Sequence, residues 1–330
     1  MYYFCTYFDK NYLNKGLALY SSLQEHCQEF RLFVLCMDDD CRRTLANMQL
    51  SAVTLITREE FEKDDTALSE AKNNRSLIEY YFTCTPSLPI YVFDHWPEVD
   101  TVTYLDSDLF FFGSPDELYR EMENGSILII EHRFPNAIAD LNIYGKYNVG
   151  YLSFRRDEHG MACLHWWRER CNEWCYDRLE GDRFADQKYL NEWPDRFPGV
   201  VVLQHKGGGL SPWNVAGYEI MHREGRLMID EQPLIFYHFH GLKKINRWLY
   251  DAEIRKYRFR LSGIVRRHIY RPYIDALEKQ TRLISSHNGM KSSNVTEIRK
   301  SHAEKKSRSY YWSRLKQILK DGINGDLIFA

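Results

Sequence analysis

The sequence predicts an α/β protein with a mixed sheet flanked by helices. Short runs of apolar and β-branched residues alternate with longer amphipathic segments over the first 57 residues. This alternation is typical of parallel strands joined by crossover helices. A further apolar run at 101–105 ends in two carboxylates, as expected where a buried strand reaches the edge of its sheet. Ligands of such sheets bind beyond the carboxyl ends of the strands.

The first elements follow in order from the hydrophobic pattern. A strand at 2–8 precedes a turn at 9–12 and a helix over about 13–27. The run Asp38–Asp40 is interpreted as the cap of the next helix. The remaining prediction places strands at 31–36, 52–56, 101–105, 126–131, 147–154, 200–203 and 234–241, and helices at 41–48, 76–96, 115–123, 158–179 and 186–191. The polar segment 58–75 is predicted to contain a helix and a loop.

Two features qualify these elements. Pro86 and Pro89 are expected to interrupt the helix at 76–96, because proline lacks the N–H that a helix interior needs. The run Gly207–Gly209 lacks the lysine and hydroxyl residue of a phosphate loop. It is therefore interpreted as a plain turn.

We expect two parts in the chain. A globular domain is predicted over 1–262, and a helical, basic extension over 263–330. The segment 291–320 contains nine Lys and Arg but only two Glu, and its apolar and aromatic residues recur as a stripe at helical spacing. This pattern favours peripheral contact with an anionic membrane, although packing of the stripe on the protein itself would need the same residues.

Composition restricts the functional classes. Hydrophobic residues at 44% and charged residues at 27% are typical of a soluble globular protein, and a net charge of −2 disfavours a nucleic-acid partner. The N-terminal apolar run has no basic region before it, so no signal peptide is expected. The eight cysteines lack Cys-x-x-Cys spacing, which favours reduced thiols. A cytoplasmic protein is predicted, with the inner face of the membrane as a second location.

The motif Asp106-Ser107-Asp108 is the strongest chemical signal. Two buried carboxylates so close together need compensating positive charge. Carboxylate oxygens suit a hard cation such as Mg²⁺ or Mn²⁺ and leave coordination positions for phosphate oxygens. Aspartate is also common at the start of loops, which is the simpler explanation for the pair taken alone.

A second signal lies in the strand at 234–241, which runs into His238 and His240. Side chains alternate along a strand, so at most one of the two histidines can point into a given cleft. Gly241 and Lys244 follow at short spacing.

Together these motifs resemble the GT-A fold glycosyltransferases that use nucleotide-diphosphate sugars, and most closely the retaining family-8 type. That type includes the galactosyl- and glucosyltransferases of bacterial lipopolysaccharide synthesis. The resemblance covers roughly residues 2–248. Its four segments are the first strand with its turn, the Asp-x-Asp motif, the pair of segments 148–150 and 186–187, and the His-x-x-Gly-x-x-Lys motif at 238–244.

The resemblance implies roles for these residues. Asp106, Asp108 and His238 would hold Mn²⁺ or Mg²⁺, with His238 rather than His240 as the third ligand. Gly241 would let the backbone approach the diphosphate. The residues implied to bind the UDP-sugar are Thr6, Asp9, Asn11, Tyr12, Asp106, Ser107, Asp108, Gly241 and Lys244.

Asn148, Asp186 and Gln187 would orient the donor sugar and stabilise the transition state. Asp186 and Gln187 are also weak candidates for a nucleophile, so a front-face route without one stays open. The implied reaction is transfer from a UDP-sugar to a saccharide or lipid-linked acceptor, with retention of configuration.

The sequence departs from the family at three places. One follows Lys244, where Ile245-Asn246 stands in place of the Pro-Trp that is common in the family. No arginine lies between Ser76 and Asp106, where the family supplies one to the donor, and Arg75 or Lys72 could replace it. His132 stands near the position of an acidic residue that binds the acceptor. Two other functions remain open, a sugar-nucleotide pyrophosphorylase and a non-catalytic module that binds sugar nucleotides or glycans.

Overall fold

A computed structural model describes residues 1–63, 65–287 and 326–329. A mixed seven-stranded sheet runs through its centre in the order β3-β2-β1-β4-β7-β6-β8. These strands are β1 (Tyr2–Phe8), β2 (Phe30–Cys36), β3 (Val53–Thr57), β4 (Thr101–Leu105), β6 (Ile127–Glu131), β7 (Tyr147–Arg155) and β8 (Val200–Val202). The first four are parallel, whereas β7 is antiparallel to β4 and β6.

Three smaller sheets complete the strands. They contain β5 (Leu109–Phe111), β9 (Ile220–Arg223), β10 (Arg226–Ile229), β11 (Gln232–Pro233), β12 (Phe236–His238), β13 (Lys243–Asn246), β14 (Leu249–Asp251) and β15 (Leu327–Phe329). The antiparallel pairing of β5 with β12 matters most for function, because it places His238 opposite Leu109, directly after the Asp-x-Asp motif.

Helices cover both faces of the central sheet. They are α1 (Leu13–His26), α2 (Asp39–Met48), α3 (Arg58–Lys63), α4 (Thr66–Asn73), α5 (Leu77–His95), α6 (Asp116–Glu121), α7 (Glu158–Glu173), α8 (Trp193–Arg196), α9 (Gly263–Val265) and α10 (Arg271–His287). Short 3-10 helices occupy Asn136–Tyr144, Lys188–Glu192, Val215–Gly217 and Ile254–Tyr257, and a π-helical turn joins α9 to α10 at Arg266–Tyr270.

The core is divided by the sheet. Because successive strand residues face opposite sides, Cys5 packs into a cluster with α5 and α7, whereas Phe4 packs into a cluster with α1. A third cluster joins β12 and Phe110 to α10 through Tyr273 and Ile274. β1, β2 and β4 thus carry buried residues on both faces, whereas β3 at the edge of the sheet is mostly half-buried.

The prolines do not interrupt α5. Pro86 and Pro89 lie inside one continuous helix, both buried, and the helix begins at a capping box formed by Ser76 and Glu79. Eleven residues of this helix are buried, so packing against α7 and β4 outweighs the helix hydrogen bonds that the prolines remove. The predicted interruption is therefore wrong.

Other boundaries also differ. The segment 58–75 forms two helices, α3 and α4, and α7 ends at Glu173 rather than near 179, where Trp174 turns to extended backbone. The predicted short helix at 186–191 is a 3-10 helix at Lys188–Glu192. β15 was not predicted, because its three residues acquire a partner only through tertiary pairing with β14.

Several predictions agree with the structure. The Asp38 side chain accepts a hydrogen bond from the Cys41 N–H at the start of α2, as expected of a cap. All eight cysteines are buried and free. Among the described residues, no helix combines the length and the apolar character needed to cross a membrane. The predicted membrane-contact segment 291–320 lies outside the described residues.

Candidate active site

The candidate site forms where β4 ends. Asp106 and Asp108 follow β4 directly, and the pairing of β12 with β5 brings His238 beside them. The Nε2 atom of His238 lies 3.1 Å from Asp108 Oδ1 and 3.5 Å from Asp106 Oδ2. Each of the three residues has one ligand atom within 4.8 Å of the others. The buried Ser107 lies between the two aspartates.

This cluster fits a divalent cation. Ligand atoms bound about 2.1 Å from one octahedral ion lie roughly 3 Å apart, close to the spacing seen here. Gly150 is part of the same arrangement, since a Cβ at that position would lie 2.8 Å from the His238 ring. The imidazole therefore occupies a recess that only glycine leaves open. Two carboxylates and one imidazole form a donor set that suits Mn²⁺ or Mg²⁺.

The charges in the cluster are unequal. Burial raises the pKa of Asp106, against the opposing effect of His238. Burial acts in the same direction on Asp108, but Lys15 and His238 together hold the pKa of Asp108 well below its usual range. For His238, burial alone would lower the pKa, and the two aspartates raise it instead. Asp108 is therefore the firmly ionised member of the cluster.

Two residues that the sequence did not single out complete this cluster. The Tyr104 hydroxyl donates to Asp106 Oδ1 over 2.9 Å. The Lys15 ammonium lies 3.5 Å from Asp108 Oδ2. Each aspartate thus turns one oxygen toward His238 and the other toward a second protein group. Strand alternation could not identify Tyr104, because its ring is otherwise an ordinary buried strand side chain.

The turn after β1 is internally bonded. Asp9 Oδ1 accepts from the Asn11 N–H over 2.9 Å, and the Asp9 carbonyl accepts from the Tyr12 N–H over 3.0 Å. Asn11 and Tyr12 are exposed beside this turn. Thr6 is fully buried in β1, and its hydroxyl has no hydrogen-bond partner among the described residues. This geometry leaves the turn rigid and the Asn11 and Tyr12 side chains accessible.

Asn148 is held by a buried histidine. His132 donates from Nδ1 to the Lys146 carbonyl, so its Nε2 can accept from the Asn148 amide at 3.4 Å. Asn148 Oδ1 in turn accepts from the Gly150 N–H over 2.8 Å. Burial lowers the pKa of His132 to about 3, so the ring is neutral and its tautomer is fixed. This histidine therefore orients Asn148 beside the cluster.

Asp186 lies in the same buried region. Burial raises the pKa of Asp186 to about 7, a hydrogen bond from Thr85 opposes that rise, and the charge of Asp106 adds to it. The Trp167 indole N–H donates to the Asp186 carbonyl over 2.8 Å. The neighbouring Gln187 instead donates its amide to the Tyr144 carbonyl over 3.1 Å and is partly exposed.

The residues of the His-x-x-Gly-x-x-Lys motif at 238–244 have different surroundings. Gly241, three residues beyond His238, adopts φ +80°, a conformation that favours glycine. The Lys244 ammonium contacts Glu278 on α10 and lies 5.6 Å from the centre of the Tyr250 ring. In the structure the positive charge of Lys244 is thus already paired.

Arg75 and Lys72, the two candidates to replace the missing arginine, are both bonded to other protein groups. Arg75 donates to the Thr83 hydroxyl and to the Cys171 and Asn172 carbonyls. Lys72 forms an ion pair with Glu62 at 2.8 Å. Both side chains therefore serve contacts among the helices around α5.

Comparison with known proteins shows the fold and the family of this chain. The galactosyltransferase LgtC, solved in complex with donor and acceptor sugar analogs, matches with a TM-score of 0.52 and 16% identity over 89% of this chain and 99% of LgtC. The chain thus has the GT-A fold of the nucleotide-sugar glycosyltransferases, which confirms the fold predicted from its motifs.

Two proteins share more sequence identity with this chain than LgtC does. The uncharacterized protein YfnD of Bacillus subtilis (strain 168) is 31% identical over 287 residues, which span 84% of this chain and 89% of YfnD. The uncharacterized protein YfnF of the same strain is 32% identical over 251 residues, or 74% and 82% of the two chains. The chain belongs to the family of YfnD and YfnF. No family model matches it.

Proposed function

We propose that this protein is a metal-dependent glycosyltransferase that takes a sugar from a UDP-sugar. The observation that carries the proposal is the convergence of Asp106, Asp108 and His238 at the end of β4 in a GT-A fold. A sheet of this kind binds its ligand beyond the strand ends, which is where the cluster and the turn after β1 both lie. LgtC, with the same fold, is a galactosyltransferase.

Each group has a proposed task. Asp106, Asp108 and His238 would hold Mn²⁺ or Mg²⁺, which when bound supplies Lewis-acid stabilisation of diphosphate charge. The turn residues Asn11 and Tyr12 would receive the nucleoside. The remaining donor contacts are proposed for Thr6, Asp9, Ser107, Gly241 and Lys244, of which Lys244 would first have to leave Glu278.

Asn148, Asp186 and Gln187 are proposed to orient the donor sugar. We propose retention by a front-face route. The bond from the anomeric carbon to the β-phosphate oxygen breaks with its electron pair on that oxygen. The acceptor hydroxyl oxygen bonds to the same carbon face, and its proton passes to the departing phosphate oxygen. Asn148 is suited to orient the donor sugar because His132 and the Gly150 N–H bind the two ends of its side-chain amide.

The test is incubation of the purified full chain with a panel of UDP- and GDP-sugars and Mn²⁺, followed by product analysis. Release of sugar and UDP from one UDP-sugar, lost on adding EDTA, is the expected result. Formation of sugar 1-phosphate and UTP on addition of pyrophosphate would instead indicate a pyrophosphorylase. Tight binding without turnover, with or without saccharide acceptors, would indicate a binding module.

The acceptor is proposed to be a saccharide or a lipid-linked saccharide of bacterial surface polysaccharide or lipopolysaccharide synthesis. The basic and aromatic segment 291–320 is proposed to touch an anionic membrane, an inference from its sequence alone. Co-sedimentation with phosphatidylglycerol vesicles at low salt tests this, with a chain ending at His287 as the control. Equal binding by both chains would contradict the proposal.

A further inference from the structure

Lys15 has an unusual environment for a lysine. It lies in the first turn of α1, and only 14% of its side chain is exposed. Its ammonium is 3.5 Å from Asp108 Oδ2 and 4.2 Å from the centre of the Tyr12 ring. Lysine is seldom buried unless its charge is paired. The residue therefore bridges the turn proposed to receive the nucleoside and the cluster proposed to hold the metal.

The position of Lys15 is fixed by the packing of its helix. The next residue, Gly16, is buried, and a Cβ there would lie 2.2 Å from the Phe8 ring at the end of β1. Glycine thus allows α1 to lie directly on the strand end. Asn14 contributes on the other side through a hydrogen bond to Thr281 of α10. This packing places the start of α1, and with it the Lys15 backbone, beside the site.

Charge balance gives Lys15 a task in the donor complex. The two aspartates carry two negative charges, which a divalent cation neutralises, and a sugar-linked diphosphate adds about two more at neutral pH. Lys244, Lys72 and Arg75 are engaged elsewhere in the described structure. Once Asp108 shares its charge with a bound cation, the Lys15 ammonium loses much of its present attraction and can turn to phosphate oxygens.

We propose that Lys15 is a donor-binding residue that contacts the diphosphate of the nucleotide sugar. The inference rests on the proposed function and extends it, since no sequence motif assigned this lysine. Lys15 pairs with Asp108 while the site lacks donor and exchanges that partner for the diphosphate when donor binds. The same ammonium then stabilises the negative charge that the departing diphosphate gains.

Calorimetric titration of the full chain, in the presence of Mn²⁺, measures its affinities for UMP and for UDP. A separate titration with Mn²⁺ alone, detected by electron paramagnetic resonance, measures the affinity for the metal. Lys15→Met is expected to weaken UDP roughly tenfold or more, the usual effect of losing one charged hydrogen bond. The affinity for UMP should fall less, and the affinity for Mn²⁺ alone should stay unchanged or rise. Lys15→Arg, which keeps the charge, should retain most of the preference for UDP over UMP.

Lys10→Met is the matched control, because Lys10 belongs to the same turn but pairs with Asp40 at 2.8 Å on the surface. It should bind UDP as the wild type does. Equal losses of UDP, UMP and Mn²⁺ in Lys15→Met would show that Lys15 only positions Asp108 and would overturn the inference. An unchanged UDP affinity would also overturn it. Failure of the wild type itself to bind UDP with Mn²⁺ would reject the proposed function instead.

Discussion

At the scale of single residues, the oxygens of the two aspartates are divided between partners. Asp106 receives the Tyr104 hydroxyl on Oδ1 and faces His238 with Oδ2. Asp108 faces His238 with Oδ1 and Lys15 with Oδ2. These contacts hold each carboxylate in one orientation. Preorganisation of this kind lowers the cost of binding a cation, because its ligands need little rearrangement.

The histidine assignment gives a direct prediction. His238→Ala should lower Mn²⁺ affinity roughly tenfold or more, since it removes one of the three potential metal ligands. His240→Ala is the matched control, because His240 is exposed two residues away and should bind Mn²⁺ nearly as the wild type does. Titration followed by electron paramagnetic resonance measures both. A larger loss in His240→Ala would reverse the assignment.

Gly150 provides a second prediction. In Gly150→Ala the new methyl group would lie 2.8 Å from both the His238 ring and Asn148 Oδ1, so both side chains, or the backbone at position 150, must move. We expect roughly tenfold weaker binding of UDP with Mn²⁺, and about 1–3 kcal/mol lower stability from overpacking. Calorimetry and urea unfolding measure the two effects.

The control for that substitution is Gly263→Ala. A Cβ at Gly263, the first residue of α9, would meet no atom within 4 Å. Its UDP binding and urea midpoint should match the wild type. If Gly150→Ala bound UDP as tightly as this control, the proposed recess for His238 would be wrong.

At the scale of elements, α10 is closely tied to the rest of the fold. Tyr273 stacks on Phe239 with ring centres 3.8 Å apart, and Ile274 and Leu277 are buried in the same cluster. Burial of each such side chain contributes about 1.5–3 kcal/mol. The proposed division of the chain at residue 262 therefore separates segments of sequence that share one core.

We accordingly predict that a chain ending at Ser262 loses cooperative thermal unfolding or aggregates, because Phe239 and its neighbours lose their cover. A chain ending at His287 keeps α10 and should unfold cooperatively, with a lower midpoint for the loss of β15. Differential scanning calorimetry distinguishes the two. Cooperative unfolding of the shorter chain at the wild-type midpoint would make 1–262 an independent domain.

At the scale of the whole molecule, ligand should couple to stability. A ligand that binds only the folded protein at 100 times its dissociation constant adds about 2.7 kcal/mol. We therefore expect UDP with Mn²⁺ to raise the thermal midpoint and EDTA to abolish that rise. The Asp108→Asn variant should keep its fold, but UDP with Mn²⁺ should not raise its thermal midpoint. A rise of equal size with UDP and EDTA would contradict the metal-dependent site.

Much of this molecule was determined by sequence alone. Apolar runs of strand length alternate with helical periodicity, so the order of the parallel strands and helices around β1, β2 and β3 could be predicted from local pattern. Asp106 and Asp108 could be identified because two carboxylates directly after a buried strand are costly without a ligand. The alternation of His238 and His240 showed that one of them at most would reach the cleft.

Tertiary structure decided the remainder. Burial keeps α5 continuous through Pro86 and Pro89, because packing free energy, which no local pattern records, exceeds the cost of missing hydrogen bonds. Lys15 could not be found from its own helix, since its partner Asp108 lies 93 residues away. The present pairing of Lys244 with Glu278 depends on α10 in the same way. Local sequence fixes periodicity and chain direction, whereas contacts between distant segments exist only once the chain has packed.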